Sequence, residues 1–180
     1  MMKRIAIDMD DVLADTTLKI IAETNKRLGT AYTKEAISNP EIAKEFYQQY
    51  YPLRNFLWEK GFFRDLPVFD DAIDVVKKLQ EQYEIFIVSA ATEFPNSLAE
   101  KLEWLEEHFP FIGWTHTVFC GHKYMIKADY LIDDHEKNLV KFEGKGLLFD
   151  APHNGHLQEY TRVYSWKEVE GLLLPEGTNV

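Results

Sequence analysis

A chain of 180 residues, 46% of them apolar, is long enough for one compact domain plus a small insertion and apolar enough to fold alone. Its formal charge of −10, with no run of Lys or Arg, excludes nucleic acid and anionic membrane surfaces as partners. The single cysteine, Cys120, excludes an intramolecular disulfide and a CxxC metal pair. No stretch approaches the roughly 18 apolar residues of a membrane span, so a soluble, cytoplasmic protein is expected.

In chain order, the first element is Ile5-Ala6-Ile7, a buried strand that runs into Asp8. Acids interrupt this apolar run too early for a signal peptide. The next strand begins only near Glu84, whereas a parallel crossover needs about a dozen residues. Something is therefore inserted. The segment from Asp15 to Leu66 reads as helices rich in aromatics, among them Trp58, Phe62 and Phe63. An insert just after a strand's carboxyl end lies over the crevice where open α/β sheets bind ligands, and it is read as a cap.

Beyond it, Ala72, Val75, Val76 and Leu79 recur at helical spacing. Ile85 to Val88 is a strand ending at Ser89, and Leu98, Leu102, Leu105 and Phe109 mark a second helix. Thr117–Phe119, Tyr130–Ile132 (running into Asp133-Asp134) and Gly146–Phe149 are further strands. A last helix spans Trp166–Leu173, with Ser165 as its N-cap. The expectation is an α/β fold: a Rossmann-like parallel sheet with helices on both faces and a small helical cap inserted after strand 1. Residues 1–14 and 67–174 form the core, 15–66 the cap and 175–180 a frayed tail.

Four features carry chemistry. Asp8 and Asp10 can converge on one pocket where the chain turns: one carboxylate to attack phosphorus, the other to serve as general acid and base. Ser89 offers a hydroxyl to a phosphate oxygen, and Lys123 a charge to hold phosphate. Asp133-Asp134, with Asp8, would make an all-oxygen site suited to Mg²⁺ rather than zinc. Each feature alone is as readily a turn, cap or surface residue. Their order is more telling, because each sits at or just after a strand's carboxyl end, and those ends share one edge of a parallel sheet. An anionic substrate of so acidic a protein also calls for a cation. Of the six histidines none forms HExxH; His153 and His156 are a close pair but weigh little beside the oxygen-rich set. No GxxxxGK[ST] or GxGxxG occurs.

These residues resemble the haloacid dehalogenase-like hydrolases, and most closely the bacterial 5′(3′)-deoxyribonucleotidases. The resemblance runs from Ile5 to about Leu173 through Asp8-Met9-Asp10, Gly61-Phe62-Phe63, Lys123 with Asp133-Asp134, and His153-Asn154. It implies Asp8 as nucleophile, Asp10 as general acid/base, and Ser89 and Lys123 as phosphate-binding residues. It implies Mg²⁺ held by Asp8, Asp10 (through its carbonyl) and Asp134, with Asp133 beside it. The implied substrate is a nucleoside monophosphate, with Trp58, Phe62 and Phe63 available for stacking; the oligomeric state stays open, a homodimer being one option. Thr16, Ala90 and Gly121 depart from the vertebrate pattern, which has an aromatic, a second hydroxyl and an arginine there. The rival readings are a phosphatase of another small metabolite such as a sugar phosphate, and a phosphorelay receiver-like binding module.

Overall fold

A computed structural model describes residues 2–174; the expected tail at 175–180 lies outside them. Six strands, β1 Lys3–Ile7, β2 Tyr83–Ser89, β3 Thr117–Phe119, β4 Tyr130–Asp133, β5 Lys145–Phe149 and β6 Thr161–Val163, form one sheet in the order β3-β2-β1-β4-β5-β6. Every pairing is parallel. The order reverses between β1 and β4, which pair through Ile7 and Ile132. At such a switch point the two crossovers leave in opposite directions and a crevice opens at the strands' carboxyl ends. Strand β6 was not expected from sequence: its three residues, Thr-Arg-Val, are too short and too polar for an apolar run.

The helices are α1 Thr16–Leu28, α2 Pro40–Tyr50, α3 Ala72–Gln80, α4 Ser97–His108, α5 Glu136–Leu139 and α6 Trp166–Leu173. Strand alternation divides their packing. Ile5 and Ile7 enter one core with Val75, Val76, Trp104 and Val169. Ala6, Leu131 and Leu148 turn to the other face, where Leu139 of α5 covers them. The expected cap of α6 is present, with Ser165 Oγ accepting from the Glu168 N–H at 3.3 Å.

The segment between β1 and α3 carries α1, α2 and a 3-10 helix, Tyr51–Trp58. Asp15 caps α1 by accepting from the Leu18 N–H at 2.9 Å, and Asn39 caps α2, where Pro40 starts the helix. The chain leaves and returns side by side. Asp15 N–H donates to Pro67 O at 2.7 Å, and Phe69 N–H donates to Leu13 O at 2.9 Å.

Of the residues that mark helix α4, Leu105 and Phe109 are buried as expected, but Leu102 is not. Leu102 is 46% exposed, while Glu100, Lys101, Trp104 and Leu105 are buried. Polar anchors decide this. Trp104 Nε1 donates to Leu66 O at 2.8 Å, and Glu100 accepts the Gly61 and Phe63 N–H groups at 2.5 and 3.0 Å. Replacing Glu100 by Ala orphans two backbone donors, one of them buried. It should lower the unfolding free energy by about 1–3 kcal/mol in urea titration, while Glu100→Gln, which keeps one acceptor, should lose less.

Candidate active site

Asp8 follows directly on β1, its N–H still donating to Ile132 O at 2.9 Å. The chain then winds tightly: Met9 O accepts from both Leu13 and Ala14 N–H at 2.9 Å, and Asp11 N–H donates to Ala14 O at 2.7 Å. Trp166 Nε1 pins the turn by donating to Val12 O at 2.8 Å. Asp11 pays for it with a left-handed φ of 53°. That conformation is held by its side chain, which accepts from the Thr17 N–H and hydroxyl at 2.7 Å each. Burial, then the Asp134 charge, push the Asp11 carboxyl up to about 7 in spite of these bonds. The winding brings Asp8 and Asp10 to the wall of one cavity.

Asp8, Lys123, Asp133 and Asp134 meet at the ends of β1 and β4. Lys123, 2% exposed, reaches from a short loop to Asp8 Oδ2 at 2.5 Å and Asp133 Oδ2 at 2.8 Å. Burial works against its charge, but the two carboxylates outweigh it and hold the ammonium protonated. Burial pushes the Asp8 carboxyl well above the usual range; Lys123 opposes this, and the other acids add to it.

The two acids after β4 differ. Both oxygens of Asp133 are engaged, by Lys123, the His135 N–H and Asn138 Nδ2, all at 2.8 to 3.0 Å. Asp134 Oδ2 faces His153 Nε2 at 3.1 Å, but its Oδ1 is buried without a hydrogen-bond partner. Asp133 thus positions Lys123, while Asp134 keeps an oxygen free to meet a cation. A buried carboxylate oxygen left bare is costly unless a cation meets it. Asp8, Asp133 and Asp134 each present an oxygen within 4.8 Å of the others. Such an all-oxygen set fits a hard divalent cation.

The second carboxylate of the turn, Asp10, has a partner that sequence reading missed. Lys101 of α4, 1% exposed, forms an ion pair with Asp10 Oδ2 and donates to Ser89 Oγ at 3.0 Å. The Thr16 hydroxyl donates to Asp10 Oδ1 at 3.0 Å, so the residue that departs from the vertebrate pattern holds Asp10. A signal for Lys101 existed: it stands three before Trp104 and four before Leu105, on the face that α4 buries. Ser89 itself is fully buried, and the cavity is lined by Ala90 in its place. Its hydroxyl accepts the hydrogen bond from Lys101.

The cavity has a volume of about 540 Å³ and lies between these groups and the α2 region. Tyr47, Tyr50, Arg54, Trp58, Phe63 and Phe94 line its far side. Of the three aromatics expected to meet a ligand, Trp58 and Phe63 do line it. Phe62 does not. Its ring packs edge-on against Phe63 with centroids 4.9 Å apart, and it lines a separate cleft beside Lys19 and Phe56.

Known proteins match this chain over nearly all of its length. The family model described as 5′ nucleotidase, deoxy (Pyrimidine), cytosolic type C protein matches residues 2–176. A 5′(3′)-deoxyribonucleotidase of Bacillus subtilis (strain 168) is 41% identical over 177 residues, covering 97% of this chain and 100% of its own. A Staphylococcus aureus (strain Mu50) protein, named provisionally as a 5′(3′)-deoxyribonucleotidase, is 44% identical over 172 residues, covering 96% of each chain. Among solved structures, a HAD family hydrolase from Deinococcus radiodurans R1 with bound phosphate and sodium superposes with a TM-score of 0.59. It is 11% identical and covers 97% of this chain and 98% of that one, so it speaks for the fold alone. With the family model matching residues 2–176 and relatives above 40% identity, the chain belongs to this 5′-nucleotidase family of phosphoric monoester hydrolases.

Proposed function

We propose that the protein dephosphorylates nucleoside monophosphates, deoxyribonucleotides foremost, through an aspartyl-phosphate on Asp8, with Mg²⁺ as cofactor and in the cytoplasm. The observation that carries this reading is the convergence of Asp8, Lys123 and the bare Asp134 oxygen beneath one aromatic-lined cavity. The names borne by the 41–44% identical relatives support the substrate class.

Asp8 forms a bond from a carboxylate oxygen to phosphorus as the ester bond to the sugar oxygen breaks. Asp10 gives its proton to that leaving oxygen, then takes one from the water that cleaves the aspartyl-phosphate and releases inorganic phosphate. Lys123 balances charge at Asp8. Lys101 holds Asp10 toward the cavity, with Ser89 steadying Lys101 from behind. Mg²⁺, held by Asp8, Asp134 and the Asp10 carbonyl, would supply neutralisation of phosphate charge. Residues 15–66 serve as the cap over a core of 1–14 and 67–174, and Trp58 and Phe63 offer faces to a base.

Phosphate release across a panel of nucleoside and sugar monophosphates, with Mg²⁺ and with EDTA, tests this. Turnover of dUMP and dTMP that needs Mg²⁺ is the expected result. A protein that ignores every nucleotide and cleaves a sugar phosphate would overturn the substrate assignment, and undiminished turnover in EDTA would overturn the metal.

A further inference from the structure

We propose that Asp134, His135 and His153 form a second cation site, selective for a borderline divalent ion such as Zn²⁺, that shares Asp134 with the hard-cation site and throttles the enzyme when filled. Nothing in the proposed mechanism uses either histidine. They come from different segments, the turn after β4 and the loop after β5, yet their rings stack at 4.4 Å with an interplanar angle of 27°. Both Nε2 atoms approach the same oxygen, Asp134 Oδ2, at 3.1 Å for His153 and 3.6 Å for His135. One ligating atom from each of the three residues falls within 4.8 Å of the others.

These spacings have a chemical meaning. With metal–ligand bonds of about 2.0–2.1 Å, neighbouring ligands of a tetrahedral zinc ion lie about 3.3 Å apart. The two nitrogen–oxygen distances bracket that value. Two imidazoles and one carboxylate form a set that zinc accepts with its fourth position open, whereas magnesium disfavours imidazole nitrogen. Access is available, since His135 is 49% and His153 25% exposed at the side chain and both line the cavity. The partner of His153 is therefore His135, not the sequence neighbour His156. The other oxygen of Asp134, Oδ1, is the bare one, so a single carboxylate faces both ions. Zinc on Oδ2 withdraws electron density from that carboxylate and weakens its hold on the hard cation.

Zinc titration by calorimetry, on the full chain in saturating Mg²⁺ and without substrate, tests the site independently of the nucleotidase reading. One zinc per chain should bind, with affinity falling tenfold or more in His135→Ala and in a second variant, His135→Asn. Added zinc should also lower Mg²⁺-supported phosphate release in the parent, with the inhibition constant shifting in parallel in both variants. Zinc affinity unchanged in both variants, or no binding while Mg²⁺ is present, would overturn the site. Loss of zinc binding without relief of inhibition would overturn the throttling.

Discussion

Asp8→Asn should fold and yet release phosphate from dUMP at least on the order of 10⁴-fold more slowly than the parent in saturating Mg²⁺. The substitution preserves shape but removes the nucleophilic oxygen pair. It also puts an amide NH₂ where the parent has two acceptors, one taking the Met9 N–H at 2.6 Å and the other facing Lys123 at 2.5 Å. One of those donors must then confront another donor. Against that loss stands a gain, since Asp8 is buried among Asp10, Asp133 and Asp134, and a neutral side chain relieves their repulsion. The two effects oppose one another, so the urea midpoint should move little while catalysis collapses. Trapping adds a second readout: acid-quenched parent should carry a hydroxylamine-labile phosphate, and Asp8→Asn none. Full activity in the variant would remove the aspartyl-phosphate from the mechanism.

The parts of this site legible in sequence are those whose placement depends on the chain alone. A short apolar run that stops at an acid gives both the strand and its carboxyl end, which is why Asp8, Ser89 and Asp133-Asp134 could be set on one edge. The cap of α6 reads equally well, because Ser165 bonds a donor only three residues on. What sequence hid is decided by competition between distant groups. Lys101 belongs to the buried face of α4 only because Glu100 and Trp104 bind the backbone of residues 61–66; on hydrophobicity alone Leu102 claims that face. Asp133 and Asp134 are adjacent and chemically identical, and only the position of Lys123 and Asn138 makes one a positioning group and leaves the other bare. Phe62 and Phe63 touch each other, yet only Phe63 lines the cavity, a division that composition does not encode.

Lys123→Met carries the second large effect, and it separates folding from chemistry by its dependence on pH. Methionine nearly matches the length of lysine but leaves Asp8 and Asp133 buried without their shared cation. Breaking a buried pair from one side costs about 3–5 kcal/mol, because the surviving charge is neither solvated nor compensated. In metal-free buffer that cost should depend on acidity in a defined direction. The Asp8 carboxyl is already raised by burial in the parent, and loss of Lys123 removes the charge that opposed the rise. A group whose folded pKa exceeds its unfolded value binds more protons folded than unfolded, so stability falls as pH climbs through that interval. The variant should thus unfold at lower urea than the parent at pH 7.5 and recover part of the difference as the pH is lowered and Asp8 takes up a proton. Lys101→Met makes the control. Asp10 is 31% exposed at the side chain, so solvent can compensate for its lost partner. That variant should therefore lose turnover with a smaller stability cost and a flatter pH response. If both lysine variants lose the same stability with the same pH dependence, Lys123 is not the counter-charge of a buried nucleophile, and the division of labour between the two lysines fails.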